Sequence, residues 1–378
     1  MLDSGHARDD WRIKIWRIHW GVLALILAIA SIGFAMLYSA ADGSLVPWAG
    51  PQIVRFSIGL LMLVVVALVD IRVWLRHAYV IYAVSLVLLA AVELFGSGAM
   101  GAQRWIAFGG VQVQPAEAVK IALVLALARY FHGAAVEDLR SPLFLIPPLA
   151  LVLVPVALIL RQPDLGTAVV LLAASAALFF LAGVRMWMFA TVGLVAAAAI
   201  PIAWGFLYDY QKRRILTFLN PERDPLGSGY HILQSKIALG SGGLFGKGFL
   251  AGSQSHLNFV PEKQTDFIFA MFAEEFGLLG GLALLSLYGL LALCGYGISM
   301  RSRSQFGRLL GLGITTTYFL YVFVNIAMVT GLVPVVGVPL PFVSYGGTAM
   351  LSLLFGFGLV LNVGVHRETK IGRLGLGE

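Results

Sequence analysis

Charge is scarce in this chain. Lys, Arg, Asp and Glu make up 12% of its 378 residues, against about 25% in a soluble domain. Hydrophobic residues make up 59% and the mean hydropathy is +0.89. No soluble fold of this size could hide so much apolar surface, so the composition specifies a polytopic membrane protein. Cysteine is nearly absent: Cys294 stands alone in an apolar run. That excludes a disulfide framework, a CxxC motif and a cysteine metal site. The His residues show no ligand spacing, and there is no internal repeat, low-complexity tract or soluble domain. The formal net charge of +7 therefore reports loop topology, and no nucleic-acid partner is expected.

What the chain does have is long apolar runs. Ten are near the roughly 20 residues a bilayer span needs. They fall at 20–40, 51–70, 77–95, 115–132, 142–160, 166–183, 187–207, 266–296, 308–329 and 345–365. The expectation is an all-α membrane protein of about ten transmembrane helices, with residues 1–378 forming a single domain. Residues 1–19 precede the first span and 366–378 follow the last. The N-terminal basic group (Arg8, Arg12, Lys14, Arg17) leads into a run longer than a signal-peptide core, so the first span is expected to stay uncleaved.

Lys and Arg in the short connections set the orientation. Arg72, Arg76, Arg129, Arg140, Arg185, Arg301, Arg303 and Arg308 fall on the side of both termini; Arg104 and Arg161 fall on the other. The positive-inside rule places the termini in the cytoplasm. Residues 208–265 then form a large extracytoplasmic loop between helices 7 and 8. Loops this long are usually functional. Its apolar pieces and Gly-rich centre, GSGGLFGKG at 240–248, predict short helices and turns folded over the bundle.

Ionisable groups at a membrane boundary are the place to look for chemistry. The densest cluster lies in GSQSHLNFVPEKQTDFIFAMFAEEFG, residues 252–277. Glu262, Lys263, Thr265 and Asp266 stand where this polar segment enters the eighth run; Glu274 and Glu275 lie deeper. Two readings of Asp266 stay open. Thr265 or Asp266 caps the helix, or Asp266 is a general base whose pKa is raised by partial desolvation. Glu274 is placed either to line the same cavity or to bond neighbouring helices.

Three other stretches reach the same face. Arg104 and Trp105 precede the fourth run, where Glu117 and Lys120 lie three residues apart on one helix face. That spacing makes an intrahelical ion pair or a site. In RQPDLGT (161–167) Asp164 follows a Pro turn and is placed to cap the next helix. In VTGLVPVVGVPLPFVSYGG (329–347) Pro334, Pro339 and Pro341 break the chain at membrane depth. Such backbone must be buried in protein or line a cavity. Together the four stretches suggest one outward-facing polar cavity. Its cations suit a diphosphate; its carboxylates suit proton transfer or a divalent cation.

The stretches GAQRWI, QPAEAVKIALVLALARYF, RQPDLGT, RILTFLNPERDPLGSGYHILQSKIALGSGGLFGKGF, PEKQTDFIFAMFAEEFG and PVVGVPLPFVSYGG resemble the SEDS family (shape, elongation, division and sporulation) in order and over nearly the whole chain. The short N-terminus and the unbroken QSKIALGSGGLFGKG are more similar to the RodA (elongation) branch than to the FtsW (division) branch. Gln103 stands where Lys is common in the family and Ala116 where Ser is common.

The resemblance implies a peptidoglycan glycosyltransferase that polymerises lipid II in the bacterial inner membrane. It implies Asp266, in the TDF motif, as the catalytic residue. It also matches Arg104, Glu117, Lys120 and Asp164 to positions the family needs for activity. Trp105, Arg214, Lys263 and Ser344 are further candidates for binding substrate, and Glu117 and Asp164 are candidate ligands of a divalent cation. Expected partners are lipid II, the undecaprenyl-diphosphate-linked glycan strand, a class B penicillin-binding protein transpeptidase and other elongation-complex membrane proteins. Competing readings are a lipid II flippase and a non-catalytic scaffold for the transpeptidase.

Overall fold

The computed structural model describes residues 11–99, 102–108, 111–135, 137–206, 212, 216–218, 228–257, 259 and 262–372. A short helix, α1 (Trp11–Trp16), precedes α2 (Trp20–Ala40), α3 (Ala49–Leu68) and α4 (Ile71–Phe95). Then come α5 (Pro115–His132), α6 (Ile146–Arg161), α7 (Leu165–Ala182) and α8 (Met186–Phe206). The large connection that follows contains α9 (Ser228–Ser241) and α10 (Ser253–His256). The chain ends with α11 (Ile268–Met300), α12 (Gln305–Val329) and α13 (Gly347–Val365).

Each of the ten expected spans coincides with one of these helices. Eight are long and apolar enough to cross a membrane. The exceptions are α5, which carries Glu117, Lys120 and Arg129, and α8, whose apolar part is the shorter Met186–Ile202. Local signals set the ends. Asp70 caps α4 by accepting the Arg72 N–H at 2.8 Å. Pro115 opens α5, where a missing N–H costs nothing.

The core is built around α12 and α13. α12 packs against α5, α7, α11 and α13, and α13 lies along α3. Lipid gives no hydrophobic drive to helix association, so close approach must supply it. At Gly33 in α2 an added Cβ would stand 2.7 Å from the Val343 Cα, so this crossing admits only glycine.

Two features depart from the expected layout. The connection after α4 is a three-stranded antiparallel sheet, β1 (Ser97–Ala99), β2 (Ala102–Phe108) and β3 (Val111–Val113), with Ile106 opposite Val113. And α11 is broken at Gly277 (φ 68°, ψ −166°). The Gly-rich segment 240–248 enters the break. Gly243 and Leu244 carbonyls accept from Leu278 N (2.9 Å) and Leu279 N (3.1 Å), while Lys247 and Gly248 N–H groups donate to Glu274 O and Glu275 O, both at 3.0 Å. The loop thus takes up backbone groups the broken helix would otherwise leave unpaired.

Candidate active site

The segment that carries Asp266 is a tight turn held from two sides. Glu262 (φ 49°) accepts the Thr265 N–H at 3.0 Å, and its Oε2 accepts the Thr265 hydroxyl at 3.1 Å. The α11 N-cap falls on Phe267, which makes no side-chain cap, so the capping position is neither Thr265 nor Asp266. The next three carbonyls are each taken by another segment. Gln264 O accepts from Tyr345 N (2.8 Å), Thr265 O from the Ser344 hydroxyl (2.6 Å), and Asp266 O from Asn325 Nδ2 (2.9 Å). The half-buried Asp266 carboxylate faces Gly337, where an added Cβ would stand 3.4 Å from Oδ2.

The re-entrant segment between α12 and α13 supplies most of this support. Leu340, Phe342 and Val343 are buried, which meets the demand that non-helical backbone at this depth be enclosed. Ser344, expected to bind substrate, is buried and spends its hydroxyl within the protein. It donates to Thr265 O and accepts the Leu340 N–H at 2.8 Å. Gln52 of α3, fully buried, donates to Ser344 O at 3.1 Å.

Beside this turn lies a cavity of about 1000 Å³ between α3, α4, α5 and α13. Arg55, Trp105, Gln264, Thr265 and Thr348 make its wall polar near the turn; Ile58, Met62, Ile121, Leu351 and Phe355 make the rest apolar. The Arg55 guanidinium sits 5.3 Å from the Tyr345 ring centroid, in cation–π range. Such a shape suits a ligand with a polar head and a greasy tail.

Arg104 and Asp164 meet nearby. Arg104 donates to Pro163 O, and to Gln162 O at 3.4 Å. Its Nη1 stands 4.0 Å from Asp164 Oδ1. Asp164 caps α7, accepting the Thr167 N–H (3.2 Å) and hydroxyl (2.9 Å). Lys263 is buried. Burial lowers its pKa, against the opposing pull of Asp42.

Other residues singled out in the sequence lie away from the large cavity. Lys120 is sealed in an ion pair with Glu117 at 2.6 Å, both side chains buried. The Tyr321 and Ser352 hydroxyls reach Glu117 at 3.4 and 3.3 Å, and the Lys120 ammonium lies 4.2 Å from the Tyr321 ring centroid. The pair is spent inside the bundle, and neither side chain lines the large cavity. Glu274 does not line it either. Its Oε1 accepts from Lys247 Nζ (2.7 Å) and Gln254 N (2.9 Å), binding the loop to α11. Glu275 accepts the Ser39 hydroxyl of α2 at 2.5 Å. Glu117 and Asp164 each serve donors of their own, and no group of three His, Cys, Asp or Glu side chains that could hold a metal ion occurs among the described residues. Arg214 lies outside the described residues.

A family model described as a cell cycle protein, FtsW/RodA/SpoVE, matches residues 11–369. The chain belongs to this family. The Escherichia coli (strain K12) relative named peptidoglycan glycosyltransferase MrdB is 43% identical over 372 residues, 97% of this chain and 98% of that protein. The RodA crystal structure from Thermus thermophilus is 32% identical with a TM-score of 0.70, covering 93% of this chain and 98% of that one. A chain solved in work on "Structural coordination of polymerization and crosslinking by a peptidoglycan synthase complex" is 37% identical with a TM-score of 0.80, covering 93% and 99%.

In this FtsW/RodA/SpoVE protein, three residues at the site escaped the sequence reading: Arg55 as a cavity residue, and Gln52 and Asn325 as clamps. Each is a polar residue inside an apolar helix, the signal that membrane burial makes costly and therefore informative.

Proposed function

We propose that this chain is a peptidoglycan glycosyltransferase of the elongation branch, polymerising lipid II into β-1,4 glycan strands at the outer face of the bacterial inner membrane. The observation that carries the reading is Asp266. Its main chain is clamped from two sides, and its turn borders a large cavity with a polar rim and apolar walls.

Asp266 accepts the proton of the incoming GlcNAc 4-hydroxyl as general base. That oxygen attacks the anomeric carbon of the strand's terminal MurNAc. The bond from this carbon to undecaprenyl diphosphate breaks, and the anomeric configuration inverts. Lys263, Arg104, Arg55 and Arg214 supply positive charge to the leaving diphosphate. The diphosphate departs without acid help. The Glu117–Lys120 pair and the Asp164 cap hold the helices that frame the cavity. Both termini lie in the cytoplasm, and a class B penicillin-binding protein crosslinks the strands. The enzyme is distinguished from a flippase or scaffold by supplying lipid II to the purified protein in detergent, where no membrane exists to cross. Glycan strands form if the reading holds; unchanged lipid II in the presence of the partner refutes it.

A further inference from the structure

The catalytic reading leaves one buried amide unexplained. Asn325 sits in α12 within the run YVFVNIAMV and is wholly buried. A polar side chain there needs a reason, because every unmet donor in such surroundings is costly. Its Nδ2 carries two hydrogens and meets two acceptors, Asp266 O at 2.9 Å and Val338 O at 2.7 Å. Both donors of the amide are thereby used. The two carbonyls belong to segments far apart in the chain, and these segments face each other at the site: Gly337 (φ 71°), next to Val338, abuts Asp266 Oδ2.

We infer that Asn325 is a positioning residue for Asp266. A single amide sets the separation between the residue that bears the carboxylate and the backbone wall the carboxylate rests against. This inference rests on Asp266 being the general base. The neighbouring carbonyls are held by other groups, Thr265 O by Ser344 and Gln264 O by Tyr345 N. Without Asn325 those bonds keep the turn docked, while Asp266 loses the hydrogen bond that sets its spacing from Val338. A general base displaced by about 1 Å loses on the order of 100-fold in rate, while the cavity that binds substrate keeps its lining.

The test is steady-state lipid II polymerisation by the purified full-length protein in detergent, comparing wild type, Asn325→Leu, Asn325→Gln and Asp266→Asn. Monodispersity and thermal melting establish that each variant is folded. Asn325→Leu removes both donors at similar volume. It is expected to lose about 100-fold in kcat with KM for lipid II unchanged. Asn325→Gln keeps the donors but moves them by one methylene. It is expected to recover part of kcat, again at unchanged KM. Wild-type kcat in folded Asn325→Leu overturns the inference, as does a loss confined to KM. If Asn325→Leu is not recovered folded, Asn325→Gln decides alone: reduced kcat at unchanged KM supports positioning, and wild-type kcat overturns it. Activity in Asp266→Asn would instead fail the general-base reading, on which the inference depends.

Discussion

Lys247 and Glu274 meet at 2.7 Å where the Gly-rich segment after α9 enters the break in α11, the Glu274 side chain fully buried and that of Lys247 28% exposed. The pair belongs to the same junction as the four backbone bonds around Gly277. It ties α11 to the segment that follows α9.

Lys247→Ala should therefore loosen the loop. Removing one partner of a buried pair costs about 3–5 kcal/mol. Here the expected loss is about 2–3 kcal/mol, because Lys247 keeps partial water contact and Glu274 keeps the Gln254 N–H. Limited proteolysis around residues 240–257 and thermal melting in detergent read it. A melt and cleavage pattern identical to wild type would refute the latch.

The Glu117–Lys120 pair gives a second prediction. Glu117→Met leaves the Lys120 ammonium buried with its carboxylate gone, at a cost of about 3–5 kcal/mol. In Glu117→Met/Lys120→Met the charges vanish together, and most of that stability should return. If the pair only braces α5, polymerisation returns with stability. A folded but inactive double variant would mean that Lys120 touches substrate.

Much of this was legible in the sequence. Ten apolar runs became ten helices, because bilayer thickness fixes how long such runs must be. The VPVVGVPLPFVSYGG segment was readable as enclosed non-helical chain, since prolines at that depth permit little else. The sheet at 97–113 was not legible. Its strands are short, and SGA and AQRWIAF show no strict alternation of apolar and polar residues. The break at Gly277 was also hidden. A glycine in EEFGLLGG reads as ordinary membrane-helix glycine until the loop that fills the gap is seen. That the Glu117–Lys120 pair closes inside the bundle depends on Tyr321, which meets both, and on Ser352, which meets Glu117, from helices far away in sequence.

Lys263 gives the pH prediction. Burial holds its pKa below the ordinary lysine value, and Asp42 pulls it back up. If Lys263 contacts the diphosphate as its ammonium, affinity for lipid II is full below the folded pKa and falls as pH rises through it. The fall begins earlier than for an exposed lysine. Asp42→Asn should move it to still lower pH, and Lys263→Arg should remove it. The stability term has the opposite trend. The unfolded chain binds this proton more tightly, so burying Lys263 costs most below the folded pKa, and the cost is relieved as pH rises toward the ordinary lysine value. Binding measured against pH for the three proteins checks the sign; a limb unmoved by either substitution would remove Lys263 from the diphosphate site.

The central claim is that Asp266 takes the proton from the attacking hydroxyl. Asp266→Asn keeps the side chain's size and the main-chain bonds around it, and replaces the basic, charged carboxylate with a neutral amide. The decisive measurement is glycan-strand formation from lipid II by purified wild type and Asp266→Asn in detergent. Loss of at least about 100-fold in rate, with melting temperature and lipid II binding near wild type, is the predicted result. Strand synthesis by Asp266→Asn at the wild-type rate would contradict it.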